Sequence, residues 1–388
     1  MWIPRLLEPA LRRAVQQRPV VVVTGARQVG KTSLVHRLLP GYRYVSLDLP
    51  SLAELAERDP VQFLTLHPPP VIVDEVQYAP AVFRHLKAAV DQRRMENGLF
   101  VLTGSQLFPL MAGVSESLAG RAEVFQLEGL SYAEAAAARP GLPPAEFAVR
   151  GGLPELHARP DLDGGAFHRA YVTTYLERDV RALLNVGRLR DFERFLLAAA
   201  LRSAQLLNKA DLARDVGISP PTSAEWLSVL EASGQATLIE PWFSNRTKSL
   251  AKTPKLYLAD GGLLCALLGV RTADELAASP LAGAIWETVV ASELRRGLLN
   301  AGRARELFFW RDRQREVDFV LHRAGRFTLA EAKWTELPDD RDSDALRLVS
   351  AALPRYSVRR RAVICRCANA YPLRDGVEAV PLGDVGRI

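Results

Sequence analysis

A short buried strand followed at once by a glycine-rich loop constrains the fold of this chain more than any other feature. Residues 20–32 read VVVVTGARQVGKT, and four β-branched valines are typical of a strand inside a sheet. Gly25 and Gly30 allow the backbone to curl with its N–H groups turned inward. A predicted helix over Ser33–Leu39 directs its positive end at the same point. The pattern predicts a phosphate-binding loop in an α/β sheet.

The residue types of this loop indicate which ligands it would bind. Lys31 can reach the β- and γ-phosphates of a nucleoside triphosphate, and the Thr32 hydroxyl can hold Mg²⁺. A plain glycine-rich turn is the alternative interpretation, but the order of strand, loop and helix favours a nucleotide site. We therefore predict ATP and Mg²⁺ as cofactors, bound by Gly25, Ala26, Arg27, Gln28, Val29, Gly30, Lys31, Thr32 and Ser33.

Strands and helices alternate along the first 130 residues. Further strands are predicted at Tyr42–Leu47, Val71–Glu75 and Leu99–Ser105, with helical segments between them. Because such alternation gives right-handed crossovers, the expected fold class is α/β with a parallel sheet, as in P-loop (AAA+ or RecA-like) cores. Ligands of these sheets bind at the carboxyl ends of the strands. The phosphate-binding loop and the polar ends of two other strands should therefore lie together.

Three side chains at those strand ends are candidates for hydrolysis of a triphosphate. Asp74 would orient Mg²⁺ through water, and Glu75 would polarise the water that attacks the γ-phosphate. Ser105 would sense the γ-phosphate or this water, although it could instead be only the exit of a strand. The predicted catalytic set is Lys31, Asp74, Glu75, Ser105 and the arginine Arg121.

An arginine that stabilises the transition state is common in phosphoryl transfer. Arg121 and Arg178 are the candidates in this sequence, and either could act on a neighbouring subunit, which would require a homo-oligomer. The alternative is that both are surface arginines engaged in ion pairs.

Length, composition and charge set broad limits. At 388 residues the chain is long enough for two or three domains, and its 24% charged residues are typical of a globular protein. The net charge of +6 weakly favours a polyanionic partner. Three cysteines without zinc-like spacing fit a reducing cytosol, and no segment reads as a membrane span or secretion signal. We expect a cytoplasmic protein without membrane contact.

Changes in pattern along the chain predict four parts. A P-loop ATPase core covers 1–130, a helical lid and linker 131–203, a winged-helix domain 204–278 and a C-terminal domain 279–388. Two short helices around Gly217–Ser219 suit a helix-turn-helix, with a plain helical hairpin as the alternative. Because its second helix carries no outward Arg or Lys, contact with DNA would depend on a basic wing. Such a wing would position the domain on the DNA without reading the base sequence. The wing residues are Arg246, Lys248, Lys252 and Lys255.

The C-terminal part carries a second constellation of charged residues. Glu331 and Lys333 share one face of a predicted strand, and Asp318 lies on the adjacent strand of a hairpin. Such a set suits a nuclease centre, in which Asp318 and Glu331 would bind Mg²⁺ and Lys333 would help to activate water. Glu287, on the preceding helix, could be a further ligand or orient the others. A solvated hairpin with ordinary ion pairs is the alternative interpretation.

Basic and aromatic side chains alternate immediately before that hairpin. Several arginines surround Phe308, Phe309 and Trp310, and this combination suits a nucleic-acid surface. The candidate contacts to DNA in this segment are Arg311, Arg313 and Arg315.

These residues together resemble a prokaryotic family of AAA+-like P-loop ATPases, the AAA_14/DUF4143 proteins. The resemblance covers nearly the whole chain and rests on Thr24–Thr32, Val73–Glu75, Leu102–Gln106, Ser117–Arg121, Tyr175–Asp179, Pro254–Asp260, Trp310–Asp312, Glu316–Phe319 and Glu331–Lys333. It implies an AAA+ core, a winged-helix middle and an α/β C-terminal domain similar to PD-(D/E)xK nucleases, with Asp318, Glu331 and Lys333 at the nuclease positions. Such domains often only bind DNA, and AAA+ relatives commonly form hexameric rings.

Three functions are compatible with the sequence. The first is a Mg²⁺-dependent ATPase that acts on DNA, as an oligomeric ring motor that remodels or translocates on duplex or branched DNA. The second is a metal-dependent DNA nuclease that uses ATP as a switch. The third is a nucleotide-gated signalling or interaction ATPase that does not process DNA.

Overall fold

The computed structural model divides the chain into two compact units. The N-terminal unit comprises Trp2–Gly129 with Ala232–Gly234, and the C-terminal unit comprises Leu130–Glu231 and Gln235–Ile388 with Met1. The structure describes residues 1–105, 113–114, 116–176, 189–243, 253–303, 306–312, 315–353 and 357–388.

The N-terminal unit is built on a five-stranded parallel sheet, so the predicted α/β class is confirmed for this unit. Its strands are β1 (Val20–Thr24), β2 (Arg43–Ser46), β3 (Val71–Asp74), β4 (Phe100–Gly104) and β5 (Ala122–Gln126). The strand order is β2-β3-β4-β1-β5, and every neighbouring pair is parallel. Every residue of β1, β3 and β4 is buried. Because these three central strands are parallel, their carboxyl ends lie at one edge of the sheet.

Strand β5 is the one strand of this sheet that the sequence does not predict. It pairs only with β1, so it forms an edge of the sheet, and none of its residues is fully buried. Glu123 and Gln126 interrupt any apolar run, and the half-buried edge therefore leaves no pattern of a buried strand.

Five described helices pack in the N-terminal unit: α1 (Glu8–Gln17), α2 (Lys31–Leu38), α3 (Pro50–Arg58), α4 (Pro60–Leu66) and α5 (Val82–Gln92). Helix α2 begins two residues before its predicted start because Gly30, with a φ of 91°, serves as its N-cap. The first helical residues are therefore Lys31 and Thr32 themselves, which fixes both side chains on rigid backbone.

The C-terminal unit begins with helices and ends in a larger sheet. Its described α-helices are α6 (Tyr132–Ala138), α7 (Pro144–Arg150), α8 (Pro154–Ala158), α9 (Gly164–Tyr171), α10 (Leu189–Ala200), α11 (Lys209–Val216), α12 (Pro220–Ala232), α13 (Gly261–Leu268), α14 (Ala273–Ala278), α15 (Ala282–Asn300) and α16 (Asp344–Ala352). A π-helical turn, Val172–Leu176, follows α9, and residues 177–188 of the predicted helical lid lie outside the described residues.

Two sheets complete this unit. Strands β6 (Gln205–Leu206), β7 (Ala236–Ile239) and β8 (Lys255–Leu258) form an antiparallel sheet with β8 in the middle. The other sheet has the order β13-β14-β12-β11-β10-β9. Its strands are β9 (Leu307–Arg311), β10 (Glu316–Arg323), β11 (Arg326–Ala332), β12 (Ser357–Cys365), β13 (Tyr371–Pro372) and β14 (Val377–Pro381).

The predicted hairpin of the larger sheet is present. Strands β10 and β11 are antiparallel, and Ala324 and Gly325 form the turn with positive φ values of 47° and 77°. Helix α16 then leads to β12, which is parallel to β11. No helix in the described part of the chain is both long enough and apolar enough to cross a membrane.

Candidate functional site

The phosphate-binding loop has the backbone that its glycines predict. Gly25 has a φ of 143°, and a Cβ atom at this position would lie 1.9 Å from the carbonyl oxygen of Leu127. Only glycine fits such a close approach. Gln28 and Gly30 also have positive φ values, of 61° and 91°, and so the loop turns tightly into α2. The result is a curled segment of backbone at the carboxyl end of β1.

Lys31 lies over this loop rather than in solvent. The residue is 6% exposed, and its Nζ donates to the carbonyl oxygens of Gly25 and Ala26, each at 2.9 Å. Ammonium and loop backbone are therefore held together at the first turn of α2, where the positive end of the helix also favours anions. Among the other predicted loop residues, Val29 is buried and Ser33 is exposed.

Asp74, at the end of β3, is surrounded by hydroxyl groups. Thr32 Oγ1 lies 3.1 Å from each of its carboxylate oxygens, and Tyr44 OH donates to Oδ2 at 2.8 Å. Thr103 Oγ1 donates to Oδ1. Burial, followed by the hydrogen bond to Asp74 and its charge, raises the pKa of Tyr44 to about 12, so this hydroxyl remains a donor. The predicted partners Thr32 and Asp74 are thus in direct contact.

Glu75 takes a conformation that few non-glycine residues adopt. Its φ and ψ are 54° and 45°, and residues held in this left-handed region often lie at functional sites. Its Oε2 accepts from Ser105 Oγ at 3.1 Å and from the amide of Gln77. The structure therefore brings Glu75 and Ser105 together, at the ends of β3 and β4, as the strand pattern predicts.

Two residues that support this site were not predicted as site residues. Arg5 is 7% exposed and donates to the carbonyl oxygen of Val29 in the loop at 2.9 Å and to that of Glu128 at 2.7 Å. Thr103 bonds Asp74 and accepts from the backbone N–H of Glu75 at 3.3 Å. Arg5 lies far before the loop in the sequence, and so only the folded structure shows that it supports the loop.

Arg121 is engaged within its own chain. Its guanidinium donates to both carboxylate oxygens of Asp91, with Nε to Oδ1 at 2.8 Å and NH2 to Oδ2 at 3.0 Å. This hydrogen bond lowers the pKa of Asp91. The arrangement matches the alternative of an ion-paired surface arginine. The other candidate, Arg178, lies outside the described residues.

We expect Arg121→Ala to leave the rate of ATP hydrolysis essentially unchanged, because the bidentate pair with Asp91 already occupies this guanidinium. Loss of a true transition-state arginine lowers kcat by about 10³-fold or more. Steady-state turnover of the wild type and of the variant, at the same protein concentration, separates the two cases. A loss of that size would identify Arg121 as the transition-state arginine.

The structure corrects the prediction that Lys255 lies on an exposed basic wing. Lys255 is 2% exposed and begins β8, the central strand of the three-stranded sheet, whose four residues are all buried. Its Nζ lies 2.9 Å from Glu287 Oε1, 2.5 Å from Glu316 Oε1 and 3.7 Å from Asp318 Oδ1. A position inside the sheet leaves no surface for DNA contact. The other predicted wing residues, Arg246, Lys248 and Lys252, lie outside the described residues.

The predicted trio of Asp318, Glu331 and Lys333 does come together. Lys333 Nζ lies 3.2 Å from Glu331 Oε2, and Asp318 Oδ2 accepts from the backbone N–H of Ala332 at 3.0 Å. Glu287, from α15, joins them through Lys255 and also accepts from Tyr257 OH at 2.7 Å. We call Glu287, Glu316, Asp318 and Glu331, with Lys255 and Lys333, the carboxylate cluster.

Burial changes the protonation of this cluster. Burial and then the charge of Asp318 raise the pKa of Glu287 to about 7 and raise that of Glu331 well above its usual range. Burial alone would lower the pKa of Lys255, but the charges of Glu287, Asp318 and Glu316 outweigh it and raise that pKa. The lysine is therefore an ammonium at neutral pH.

The pKa of Glu287 predicts how stability depends on pH. Because the folded-state pKa of about 7 exceeds the ordinary value of 4.5, the stabilising contribution of this group is complete below pH 4.5 and is lost as the pH rises through about 7. We expect the free energy of unfolding of the wild type to fall more between about pH 5 and about pH 8 than that of Glu287→Gln. Chemical denaturation at both pH values measures this difference. An equal fall in the free energy of unfolding of both proteins would contradict the raised pKa of Glu287.

A basic cavity of about 470 Å³ lies at the opposite end of the β10–β11 hairpin from the carboxylate cluster. Six arginines line it together with one acidic side chain, Glu306. We call it the arginine cavity, and its arginines are Arg303, Arg323, Arg326, Arg359, Arg360 and Arg387.

The sequence predicted little of this cavity, because Arg303 is the only one of its arginines that lies near the basic and aromatic segment before the hairpin. Arg311, predicted to contact DNA, is exposed and lies 3.3 Å from Glu316. Arg315 caps a turn through its backbone N–H, which donates to Asp312 Oδ1 at 2.8 Å. Arg313 lies outside the described residues.

Comparison with known proteins identifies the relatives of this chain. Residues 17–136 match the profile of an AAA domain (AAA_14). Two mycobacterial proteins, uncharacterized protein Rv2008c of Mycobacterium tuberculosis and uncharacterized protein Mb2031c of Mycobacterium bovis, are each 32% identical over 380 residues, or 97% of this chain and 82% of theirs. The chain belongs to their family, a family of AAA-like ATPases. Two domains of unknown function, DUF8612 and DUF4143, match residues 144–274 and 282–385 of this ATPase.

Solved structures with some likeness to this ATPase are more distant. The Walker-type ATPase PABY2304 of Pyrococcus abyssi is 18% identical, with a TM-score of 0.45, over 68% of this chain and 94% of that one. A DNA replication initiation factor is 13% identical, with a TM-score of 0.29, over 58% of this chain and 86% of that one.

The nucleotide site of this AAA-like ATPase fits ATP with a divalent ion. The cradle excludes a side chain at Gly25, Lys31 supplies a positive charge, and Thr32 meets Asp74 where P-loop enzymes hold the metal. A bound Mg²⁺ would neutralise charge on the β- and γ-phosphates. Glu75, oriented by Ser105, is the group able to align and polarise an attacking water.

The carboxylate cluster gives a different result for a metal ion. Within the described residues, no three or more His, Cys, Asp or Glu side chains are arranged to hold one. The space between Glu287, Glu316 and Asp318 contains the ammonium of Lys255 instead. The residues present therefore do not fit the catalytic metal that the nuclease resemblance implies.

Proposed function

We propose that this ATPase is Mg²⁺-dependent and acts with DNA as a homo-oligomer that remodels or translocates on duplex or branched DNA. The observation that carries the proposal is the pairing, in one chain, of a complete P-loop constellation with the arginine cavity. The first supplies a site for a triphosphate, and the second supplies a separate site for a polyanion. A chain that combines the two can couple hydrolysis to movement on a nucleic acid.

Mg²⁺ dependence is supported by the contact between Thr32 and Asp74. A hydroxyl at the first turn of the P-loop helix and a carboxylate at the end of the neighbouring strand are the pair that holds Mg²⁺ in P-loop enzymes. Tyr44 and Thr103 donate to the same carboxylate and keep it oriented. Oxygen ligands of this kind suit a hard divalent cation.

Action on DNA is supported by the charge of the arginine cavity. Guanidinium groups bind phosphate oxygens in pairs, and a cavity with six of them favours a phosphate-rich ligand. In the described part of the chain, Arg326 and Arg359 are exposed and form no ion pair with a carboxylate. The other four arginines are ion-paired: Arg303 and Arg323 with Glu306, Arg360 with Glu378 and Arg387 with Asp384. The contacts would be to the backbone, so binding would depend on salt more than on sequence.

Two folds in the C-terminal unit form part of the proposal. Helices α11 and α12, joined by a turn with Gly217 at a φ of 81°, precede the antiparallel pair β7 and β8, an order compatible with a winged helix. Helix α15, strands β9 to β11, helix α16 and the parallel strand β12 follow the order of a PD-(D/E)xK-like domain. Both folds commonly bind DNA.

Assembly into an oligomer is proposed from the family's resemblance to ring-forming AAA+ proteins, with a hexamer as the expected form. Because Asp91 engages Arg121, a neighbouring copy would have to supply another arginine to the nucleotide site. Electron microscopy with a slowly hydrolysed ATP analogue and duplex DNA tests this directly. Closed rings around DNA would support the proposal, and isolated monomers under the same conditions would overturn it.

The DNA part is tested by fluorescence anisotropy with labelled duplex, branched and single-stranded DNA at low salt. We expect the protein to bind at least one of these DNA forms. We also expect its affinity to differ between the ATP-bound and ADP-bound states, because hydrolysis must change the affinity for DNA in a motor. Equal affinity in both nucleotide states, or no binding at all, would favour the nucleotide-gated interaction protein instead.

A further inference from the structure

The carboxylate cluster gathers four carboxylates from three elements of the C-terminal unit. Glu287 comes from α15, Glu316 and Asp318 from β10, and Glu331 from β11. The side chains of Glu287, Asp318 and Glu331 are largely buried and need compensation, because unpaired buried charge is very costly. The ammonium of Lys255 lies among three of these carboxylates, those of Glu287, Glu316 and Asp318.

Lys255 reaches the cluster from β8, a strand of the other sheet in the same unit. Its ammonium has three N–H donors. Two of its carboxylate contacts are at hydrogen-bond distance, 2.9 Å to Glu287 and 2.5 Å to Glu316, and a third carboxylate oxygen, of Asp318, lies at 3.7 Å. The ring of Phe309 covers the remaining side, with its centroid 5.6 Å from Nζ. The ammonium is therefore enclosed on every side by groups that stabilise a cation.

Several oxygens of the cluster already have other partners. Glu287 Oε1 also accepts from Tyr257 OH at 2.7 Å, and Glu316 Oε2 lies 3.3 Å from Arg311. Asp318 Oδ2 accepts from the backbone of β11. Mg²⁺ binds oxygens at about 2.0–2.1 Å and needs near-octahedral ligands, so a Mg²⁺ ion between Glu287, Glu316 and Asp318 would have to displace the ammonium.

One oxygen of the cluster stands apart from this network. Glu331 Oε1 is buried without a hydrogen-bond partner, while its Oε2 faces Lys333 at 3.2 Å. A single free oxygen does not make a coordination sphere.

We propose that the ammonium of Lys255 is the resident cation of the carboxylate cluster, in place of a divalent metal, so that the C-terminal unit does not cut nucleic acid. The inference concerns the C-terminal unit alone and goes beyond the proposed ATPase function. It also assigns Lys255 the role of joining β8 to α15 and β10 through charge.

The experiment measures Mn²⁺ binding to the full-length, nucleotide-free protein by titration with electron paramagnetic resonance detection. We expect Glu331→Gln to leave Mn²⁺ binding of the wild type unchanged, because the cluster holds no metal. We expect Lys255→Met to gain a single additional Mn²⁺ ion per chain, and Lys255→Met combined with Glu331→Gln to lose it again.

Two results would overturn the inference. One is a wild-type Mn²⁺ site that Glu331→Gln or Asp318→Asn removes. The other is a folded Lys255→Met protein, verified by circular dichroism, that gains no site. If Lys255→Met does not fold, the comparison of the wild type with Glu331→Gln decides alone. Asp74→Asn serves as the control that separates any weak binding at the nucleotide site.

Nuclease assays provide an independent readout. Incubation of the wild type with Mn²⁺ and with duplex, branched or single-stranded DNA should leave every substrate intact. Cleavage that disappears in Lys333→Ala would contradict the inference and restore the metal-dependent nuclease. This result is distinguishable from failure of the proposed ATPase function, since neither assay contains ATP.

Discussion

Lys31→Ala is expected to lower the rate of ATP hydrolysis by about 10²-fold or more, the usual cost of removing one preorganised charge or donor from a transition state. The side chain is buried over the loop, and its Nζ is held by the carbonyl oxygens of Gly25 and Ala26. An ATP γ-phosphate would take over these bonds and bring negative charge to the ammonium. Alanine removes that charge and keeps the helix, since alanine is the best helix former.

The measurement is steady-state phosphate release with saturating ATP and Mg²⁺. Lys87→Ala, on the exposed face of α5 in the same unit, is the matched control and should retain wild-type turnover. Glu75→Gln should bind ATP but hydrolyse it slowly, because the amide cannot polarise water as a carboxylate does. A Lys31→Ala protein with wild-type turnover would remove the phosphate-binding loop from the mechanism.

Reversal of two charges in the arginine cavity should have the second large effect. We expect Arg326→Glu with Arg359→Glu to lower the affinity for duplex DNA by at least about tenfold at low salt. The slope of log affinity against log salt should also fall by about 2, since each lost phosphate contact removes about one unit. Both arginines are exposed, and so neither substitution should affect folding.

The matched control carries the same change of charge elsewhere. Arg169→Glu with Arg271→Glu alters two exposed arginines of the same unit that do not line the cavity. Anisotropy titrations at several salt concentrations compare the two double variants. Equal losses of affinity in both double variants would mean that DNA binding depends only on net charge. The cavity would then have no specific role.

The N-terminal unit could be predicted from the sequence in most of its detail because its signals are local. The loop residues, Asp74 and Glu75 each follow directly on a buried strand, and a parallel sheet brings such ends together without further information. Strand β5 could not be predicted in the same way, because an edge strand that is half-buried carries mixed residues.

The C-terminal unit could be predicted only in part, and Lys255 shows why. Its surroundings in the sequence, after a basic segment, suggest a wing, but its partners Glu287 and Glu316 are distant in the chain. The local sequence does not distinguish a lysine that neutralises buried carboxylates from a lysine that is exposed to solvent. The arginine cavity could not be predicted for the same reason, because its arginines come from a helix end, a hairpin turn and two later segments.

The most direct test of the account is ATP turnover by the wild type with Mg²⁺, measured with and without duplex or branched DNA at low salt. We expect DNA to raise turnover, and we expect no increase in the Arg326→Glu, Arg359→Glu protein, which should keep its basal rate. Turnover that no form of DNA changes, in a protein that hydrolyses ATP, would contradict it.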